Sequence, residues 1–387
     1  MKSFTVKASV AAAVLAVSAM QPVAAQQQGV TDKEIVIADI VPMSGPPALL
    51  GTAHNLGVRL AVAEANANGG VAGRQIKLIT EDDGYVVART VQGVRKLIHS
   101  DKVFAFANLS GSTQGQAALP LVKEAGLPVV SSISFAEELY NPIVKNVFVV
   151  GTLHPLVSNE IAKALNKRFP GKKWAIVSQD DEYGELTRKG FEDAAKELKL
   201  NVVSNLIYKK GQTDFSAEML KIKQAGAEVL YAGGLVSEDA AMAKELDRLG
   251  HRIPMGVSYV TRVPVTLKLV GPLADETYTA DYVVGEESAQ GKAFFERAKK
   301  HLSEDEMKRI NRFTFSGYVG TRVLLEGIGQ CKESLTWACV NGKLETLTNL
   351  ETGVTSPVSF SSKSHLSLQK LELLKGNSNT LTFSPIQ

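Results

Sequence analysis

Short apolar runs alternate with longer amphipathic stretches through most of the chain. The first run reads as a buried strand at 34–40, and Met43-Ser44-Gly45-Pro46-Pro47 as a loop. A helix is expected over 52–66, with Leu56, Leu60 and Ala63 on one face, stopped by Asn68-Gly69-Gly70. Strands then read at 76–80, 103–107, 128–131 and 146–150, with helices over 86–99 and 113–125. The pattern restarts with strands at 173–178, 202–208, 228–233 and 254–258, and helices over 184–198, 215–225 and 237–249. Strands separated by helices of this length predict parallel sheets with right-handed crossovers. Two such runs in series predict two doubly wound α/β lobes. Such sheets take ligands at the carboxyl ends of their strands, so two facing lobes would enclose a cleft. The last third differs. Helices are expected over 292–301 and 314–328, then a Thr-, Ser- and Asn-rich stretch with alternation over 366–374 reads as a late β ribbon.

The chain opens with Lys2 and Lys7, an apolar run from Val10 to Met20, and small residues at Val23-Ala24-Ala25. That order reads as a cleaved signal peptide at 1–25, with the mature protein starting near Gln26 in the periplasm. The apolar run is too short to span a bilayer. About 360 residues follow it, more than one core usually serves, which agrees with two lobes. Hydrophobic residues make 44% and charged residues 21%, a globular balance. The formal charge of +3 falls to +1 without Lys2 and Lys7, so neither nucleic acid nor an anionic membrane surface is expected as a partner.

Two cysteines occur, Cys331 and Cys339. On one continuous helix they would stand too far apart to bridge. Gly329 and the Cys-Lys-Glu-Ser run place a helix end near Gln330, which favours a disulfide in an oxidising compartment. Without a CxxC or neighbouring histidines they make a poor metal site.

Catalytic motifs are absent. There is no GxGxxG between strand and helix, no P-loop, no HExxH and no GxSxG. Ser110-Gly111-Ser112-Thr113 lacks the spacing of a nucleophile elbow. Of six histidines, His54, His99, His251, His301 and His365 read as surface or helix-end residues. His154 follows the strand that should lead between lobes and is a candidate ligand contact. The pairs Asp82-Asp83 and Asp180-Asp181 both follow strands and read as helix starts. No enzyme activity, cofactor or metal is expected.

The strand-to-helix loops carry the remaining candidates. Ser110 precedes a helix whose free N–H groups can bind an anion, although Ser110 or Ser112 can equally cap it. Ser134 with Glu137 matches the capping box S-x-x-E, and a ligand contact is the other reading. Phe135 lies inside that box, where a helix needs no apolar side chain. Tyr183 covers a ligand or packs under its helix. Leu235 and Val236, after Gly233-Gly234, and Ser258-Tyr259 share that choice.

These loops resemble the type I periplasmic solute-binding proteins of ABC transporters, in the branched-chain amino acid (Leu/Ile/Val) group. The marks are Met43-Ser44-Gly45-Pro46 with Gly51, then Asn68-Gly69-Gly70-Val71-Ala72-Gly73-Arg74 and Asp82-Asp83-Gly84-Tyr85. Ser112-Thr113-Gln114, Asp181-Glu182-Tyr183-Gly184 and the run from Thr213-Asp214-Phe215-Ser216 to Gly233-Gly234 follow in order. The resemblance implies two lobes joined by a three-segment hinge, 26–152 plus 283–358 and 153–282 plus 359–387. It implies a monomer that captures a small solute for ABC transporter permease subunits, or delivers it to a membrane signalling receptor. By position, Ser110 matches the serine that holds an α-carboxylate, Ile133 and Ser134 a backbone-contacting pair, and Tyr183 a cleft tyrosine. Leu50 stands where the family has an aromatic.

The departures carry information too. Phe135 replaces a gripping threonine, and Ser258 replaces the glutamate that pairs with the ligand ammonium. Tyr85 and Leu109 stand in place of the first lobe's cysteine pair. A buried ammonium needs a carboxylate partner, so an ordinary α-amino acid fits poorly. The expected wall is Leu50, Ile133, Phe135, Leu235 and Val236, with polar points at Ser110, Ser134, Tyr183, Ser258 and Tyr259. An aromatic or aliphatic carboxylate suits that wall.

Overall fold

The computed structural model describes Met1 and residues 27–386. The expected leader at 1–25 therefore lies outside the described residues, Met1 apart. The first run holds β1 (Glu34–Val41), α1 (Ala48–Ala67), β2 (Gln75–Asp82), α2 (Val87–His99), β3 (Ala105–Asn108), α3 (Ser112–Ala125), β4 (Val129–Ser131) and β5 (Val147–Gly151). The second holds α4 (His154–Arg168), β6 (Lys173–Gln179), α5 (Glu182–Leu198), β7 (Asn201–Tyr208), α6 (Ser216–Gln224), β8 (Val229–Gly233), α7 (Val236–Arg248), β9 (Met255–Val257), α8 (Pro264–Val270) and β10 (Thr277–Asp281). The chain finishes with α9 (Ala289–Ala298), α10 (Glu304–Met307), α11 (Arg312–Gly329), α12 (Trp337–Glu345), β11 (Leu366–Leu368), β12 (Glu372–Asn377) and β13 (Thr382–Pro385).

The strands form two sheets, ordered β11-β5-β4-β3-β1-β2 and β13-β12-β10-β9-β8-β6-β7. All pairs in the first are parallel, as are those from β7 to β10 in the second. Central strands such as β3, β5 and β8 are buried at every position, because helices cover both sheet faces. This is the expected pair of doubly wound lobes.

The C-terminal third rejoins the first lobe through α11, which packs on α1. Two glycines permit the contact. A Cβ on Gly57 would stand 1.9 Å from Thr314 O, and one on Gly317 would stand 2.1 Å from His54 O. This close approach buries His54, whose Nε2 lies 3.1 Å from Ser132 Oγ. His365 is also buried, with Nδ1 3.0 Å from Val144 O. Both differ from the surface or helix-end placement read from sequence, which had no view of α11 or of β11 beside them.

Three segments pass between the lobes, at 151–153, 282–284 and 369–371. The third falls later than the change expected after residue 358. Leu366–Leu368 pairs with β5 in the first sheet, and the chain changes lobe only before β12. The late ribbon is antiparallel β12 and β13 on the edge of β10. Helix α4 is absent from the sequence reading; Pro155 sits in its first turn, where its missing N–H costs nothing. Cys331 lies just beyond α11 and Cys339 in the first turns of α12; their Cα atoms stand 6.0 Å apart and the sulfurs are joined. Among the described residues no helix is long and apolar enough to cross a membrane, and no group of three His, Cys, Asp or Glu side chains is placed to hold a metal ion.

Candidate functional site

The carboxyl ends of both sheets face each other, and the loops leaving them meet. A cavity of about 60 Å³ lies there. Lobe one contributes Pro47, Leu50, Gly111, Ser112, Ile133 and Phe313 to its wall; His154, Tyr183, Leu235 and Val260 come from the other side. That volume holds on the order of five waters, or a compact organic solute of similar bulk. Leu50 and Leu235 also line an adjoining cavity of about 220 Å³ toward the mouth, with Val236 and Glu238.

One wall is aromatic. The His154 ring stacks on Tyr259 at 5.3 Å and meets Tyr183 edge-on at 4.9 Å. Phe135 packs edge-on against His154 at 5.7 Å and against Tyr282 at 6.5 Å. Phe135 is 1% exposed and presses on the first crossing. A Cβ on Gly151, whose φ is +151°, would fall 2.6 Å from the Phe135 ring. The ring therefore joins the hinge rather than standing free at the cavity.

The polar atoms near the cavity are mostly donors without protein partners. Helix α3 starts behind Gly111 with no side-chain cap, and Gly111 and Ser112 line the cavity, so the positive end of its dipole lies beside it. Ser112 does not cap it either; its Oγ accepts from Phe135 N at 3.2 Å. Ser110 Oγ, Ser134 Oγ, Ser258 Oγ, Tyr259 OH and His154 Nδ1 are all buried without a protein hydrogen bond. Tyr183 OH donates to Gly234 O at 2.9 Å. The capping box read at Ser134 does not form. The turn Glu137–Leu139 begins at Ala136 without a side-chain cap, and Ser134 N instead donates to Ser131 Oγ at 3.3 Å. Of the acid pairs, Asp180-Asp181 starts a helix, whereas Asp82-Asp83 lies in the turn before α2, whose N-cap is Val86. Asp181 caps α5 by accepting from Gly184 N at 3.1 Å, and Asp83 accepts from Tyr85 N at 2.9 Å before α2.

Behind the aromatic wall lies a buried ionic group. Asp281, at the end of β10, accepts from Arg312 Nε and Nη2 at 2.8 and 3.0 Å and from Arg262 Nη1 at 2.8 Å. Arg262 also donates to Glu286 at 2.8 Å. Burial raises the Asp281 carboxyl, but the two guanidinium groups outweigh it and hold it below the usual carboxylate range. The Arg312 guanidinium lies 4.6 Å from the Tyr259 ring centroid and 5.1 Å from that of Tyr282. Burial, helped by Arg312, lowers the His154 pKa to about 3, so this wall is neutral near pH 7. The lobes also touch at the rim. Lys210 Nζ donates to Tyr85 O at 3.2 Å and sits 3.8 Å over the Tyr85 ring, and Thr113 Oγ1 donates to Asp181 Oδ2 at 3.4 Å.

A family model described as periplasmic binding protein matches residues 34–380. The chain belongs to the periplasmic binding protein family. The Leu/Ile/Val-binding protein homolog 7 of Brucella abortus is 27% identical over 335 residues, covering 82% of this chain and 82% of that protein. A branched-chain amino acid ABC transporter protein from Thermus thermophilus with bound valine superposes with a TM-score of 0.82 at 19% identity, over 92% of this chain and 96% of that one. A solute-binding protein of an R. palustris ABC transporter in complex with 4-hydroxybenzoate gives 0.81 at 19% identity, over the same shares. Both share the fold, a type I periplasmic binding protein.

In this periplasmic binding protein, five sequence candidates reach the inner cavity: Leu50, Ile133, His154, Tyr183 and Leu235. Val236 lines the outer one. Phe135 and Tyr259 back His154, while Ser110, Ser134 and Ser258 are buried nearby with free hydroxyl oxygens. Sequence reasoning missed Arg312, Arg262 and Asp281. The two arginines stand 19 and 31 positions from Asp281 along the chain, and the one available signal was a charged residue opening a largely buried helix.

Proposed function

We propose that this periplasmic binding protein is exported behind a cleaved leader, captures a small, partly apolar solute between its lobes, and presents it to ABC permease subunits at the membrane. The observation that carries the reading is the cavity at the carboxyl ends of two facing sheets, apolar in its walls, with the uncapped start of α3 at one edge. Leu50, Ile133 and Leu235 surround the apolar body of the solute. Ser110 and the start of α3 take its polar or anionic end. Micromolar binding, ~8 kcal/mol, suits a carrier that must also release its cargo. Apolar burial at ~25 cal/mol per Å² with a few hydrogen bonds supplies that much. The B. abortus relative by its name, and the valine and 4-hydroxybenzoate complexes by their contents, are consistent with amino-acid-like or carboxylate solutes.

A thermal-shift panel of amino acids, aromatic acids and aliphatic acids tests this, because a ligand that binds only the folded state raises its Tm. Hits confirmed at one site per monomer by calorimetry support the reading. A protein that binds none of the panel but turns a compound over would overturn it. N-terminal sequencing of the exported protein should give Gln26.

A further inference from the structure

Arg312 opens α11 at the second crossing between the lobes, and its side chain has no solvent exposure. Nε and Nη2 are committed to Asp281, but Nη1 is buried without a protein partner. The guanidinium carbon lies 4.7 Å from the ring centroid of Phe313, a cavity-wall residue. It lies 4.6 Å from that of Tyr259, which stacks on the cavity-wall ring of His154. The charge thus stands one side chain behind the wall. Arg262 and Arg312 share Asp281 as their fully buried carboxylate; Glu286 is 30% exposed, so the deep part of the group holds two cations and one anion.

No aspartate or glutamate lines the inner cavity. Glu238 lines the outer one and accepts from Ser237 Oγ at 2.8 Å. Asp181 at the rim is engaged by Gly184 N and by Gln179 Nε2 at 2.7 Å. Asp239 is buried, and burial together with Glu238 pushes its carboxyl toward the neutral form.

We propose that Arg312 sets the charge selectivity of the cleft, so that it takes a monocarboxylate lacking an amino group and rejects the matching zwitterionic α-amino acid. This rests on the solute-binding reading above and narrows it. A carboxylate in the cavity is attracted by Arg312, whose one carboxylate partner is shared with Arg262, and meets the start of α3. An α-ammonium meets no carboxylate there and is repelled by Arg312 across a buried aromatic wall, where water screens little. An uncharged amide of the same shape keeps the apolar contacts and loses the attraction.

The test compares three molecules of one skeleton on the mature protein by calorimetry: 4-methylpentanoate, leucine and 4-methylpentanamide. A second trio is 3-phenylpropanoate, phenylalanine and 3-phenylpropanamide. In at least one trio the acid should bind at least tenfold more tightly than both other members, and Arg312→Gln should bring acid and amide to within about threefold. Leucine or phenylalanine binding as well as its acid, or acid and amide binding alike in the native protein, overturns the proposal whether or not the variant folds. A different solute found in the wider panel, with neither trio bound, overturns the proposal and leaves the binding-protein reading standing. Failure to bind any solute overturns both.

Discussion

Replacing Asp281 by asparagine removes the carboxylate that Arg262 and Arg312 share. Two buried guanidinium groups then face each other across a neutral amide, with Glu286 as the remaining acid. Breaking a buried ion pair from one side costs about 3–5 kcal/mol. Asp281 Oδ1 also accepts from Tyr282 N at 2.7 Å, so the loss falls on the second crossing itself. Spread over about 360 cooperative residues, that energy lowers Tm by about 4–7 °C. Calorimetric unfolding of Asp281→Asn measures it. Combined with Arg312→Gln, the two losses should fall short of their sum by at least about 1 kcal/mol, since the second change removes a charge the first left unpaired. The ion pair also has a pH signature. Its folded pKa lies below the unfolded one, so the stabilisation is complete at neutral pH and disappears as pH falls through the depressed value. A stability loss under about 1 kcal/mol, or strictly additive variants, would refute the view that this carboxylate holds the hinge.

Three further outcomes are expected. Lys210→Ala removes the clasp on Tyr85 and should raise the ligand dissociation rate several-fold in stopped-flow measurements, with Tm changed by no more than about 1 °C, because exposed contacts contribute little to stability. Replacing Cys331 and Cys339 by serine together should cost about 2–2.5 kcal/mol in denaturant unfolding, the chain-entropy value for a loop of 8 residues. His154 is buried neutral with a pKa near 3, so unfolded chains bind its proton first as pH falls below about 6.5. Stability should therefore decline between pH 6.5 and 3, and His154→Gln should flatten that limb by several kcal/mol; an unchanged limb would place the titration elsewhere.

Most of the architecture was legible because its cause is periodic. Buried parallel strands show as apolar runs, helices as one-sided stripes, and their alternation dictates the crossovers. What escaped was set by distant partners. Helix α4 begins with His154-Pro155, a start signal that resembles a break. β11 falls inside the stretch read as a ribbon, but its parallel pairing with β5 in the first sheet is set by a partner more than 200 residues away. In the site, Tyr183 and Leu235 were legible because loops after strands face the cleft, and Leu50 and Ile133 through the family resemblance. Ser134 carried a sound local motif, yet Ser131 competes for its backbone N–H and the motif does not form. Arg312 and Asp281 could not be paired from sequence, since nothing local links positions 31 apart.

The interlocked glycines of α1 and α11 impose an order of assembly. Tyr318 OH donates to Glu64 across 254 positions, and Gly57 and Gly317 seal the same contact. The packing of α1 on α11 needs chain out to residue 329, whereas the parallel strands β6 to β10 of the second sheet come from contiguous chain at 173–281. Contacts of such long sequence separation form slowly. The N-terminal half is thus synthesised first and completes its packing last.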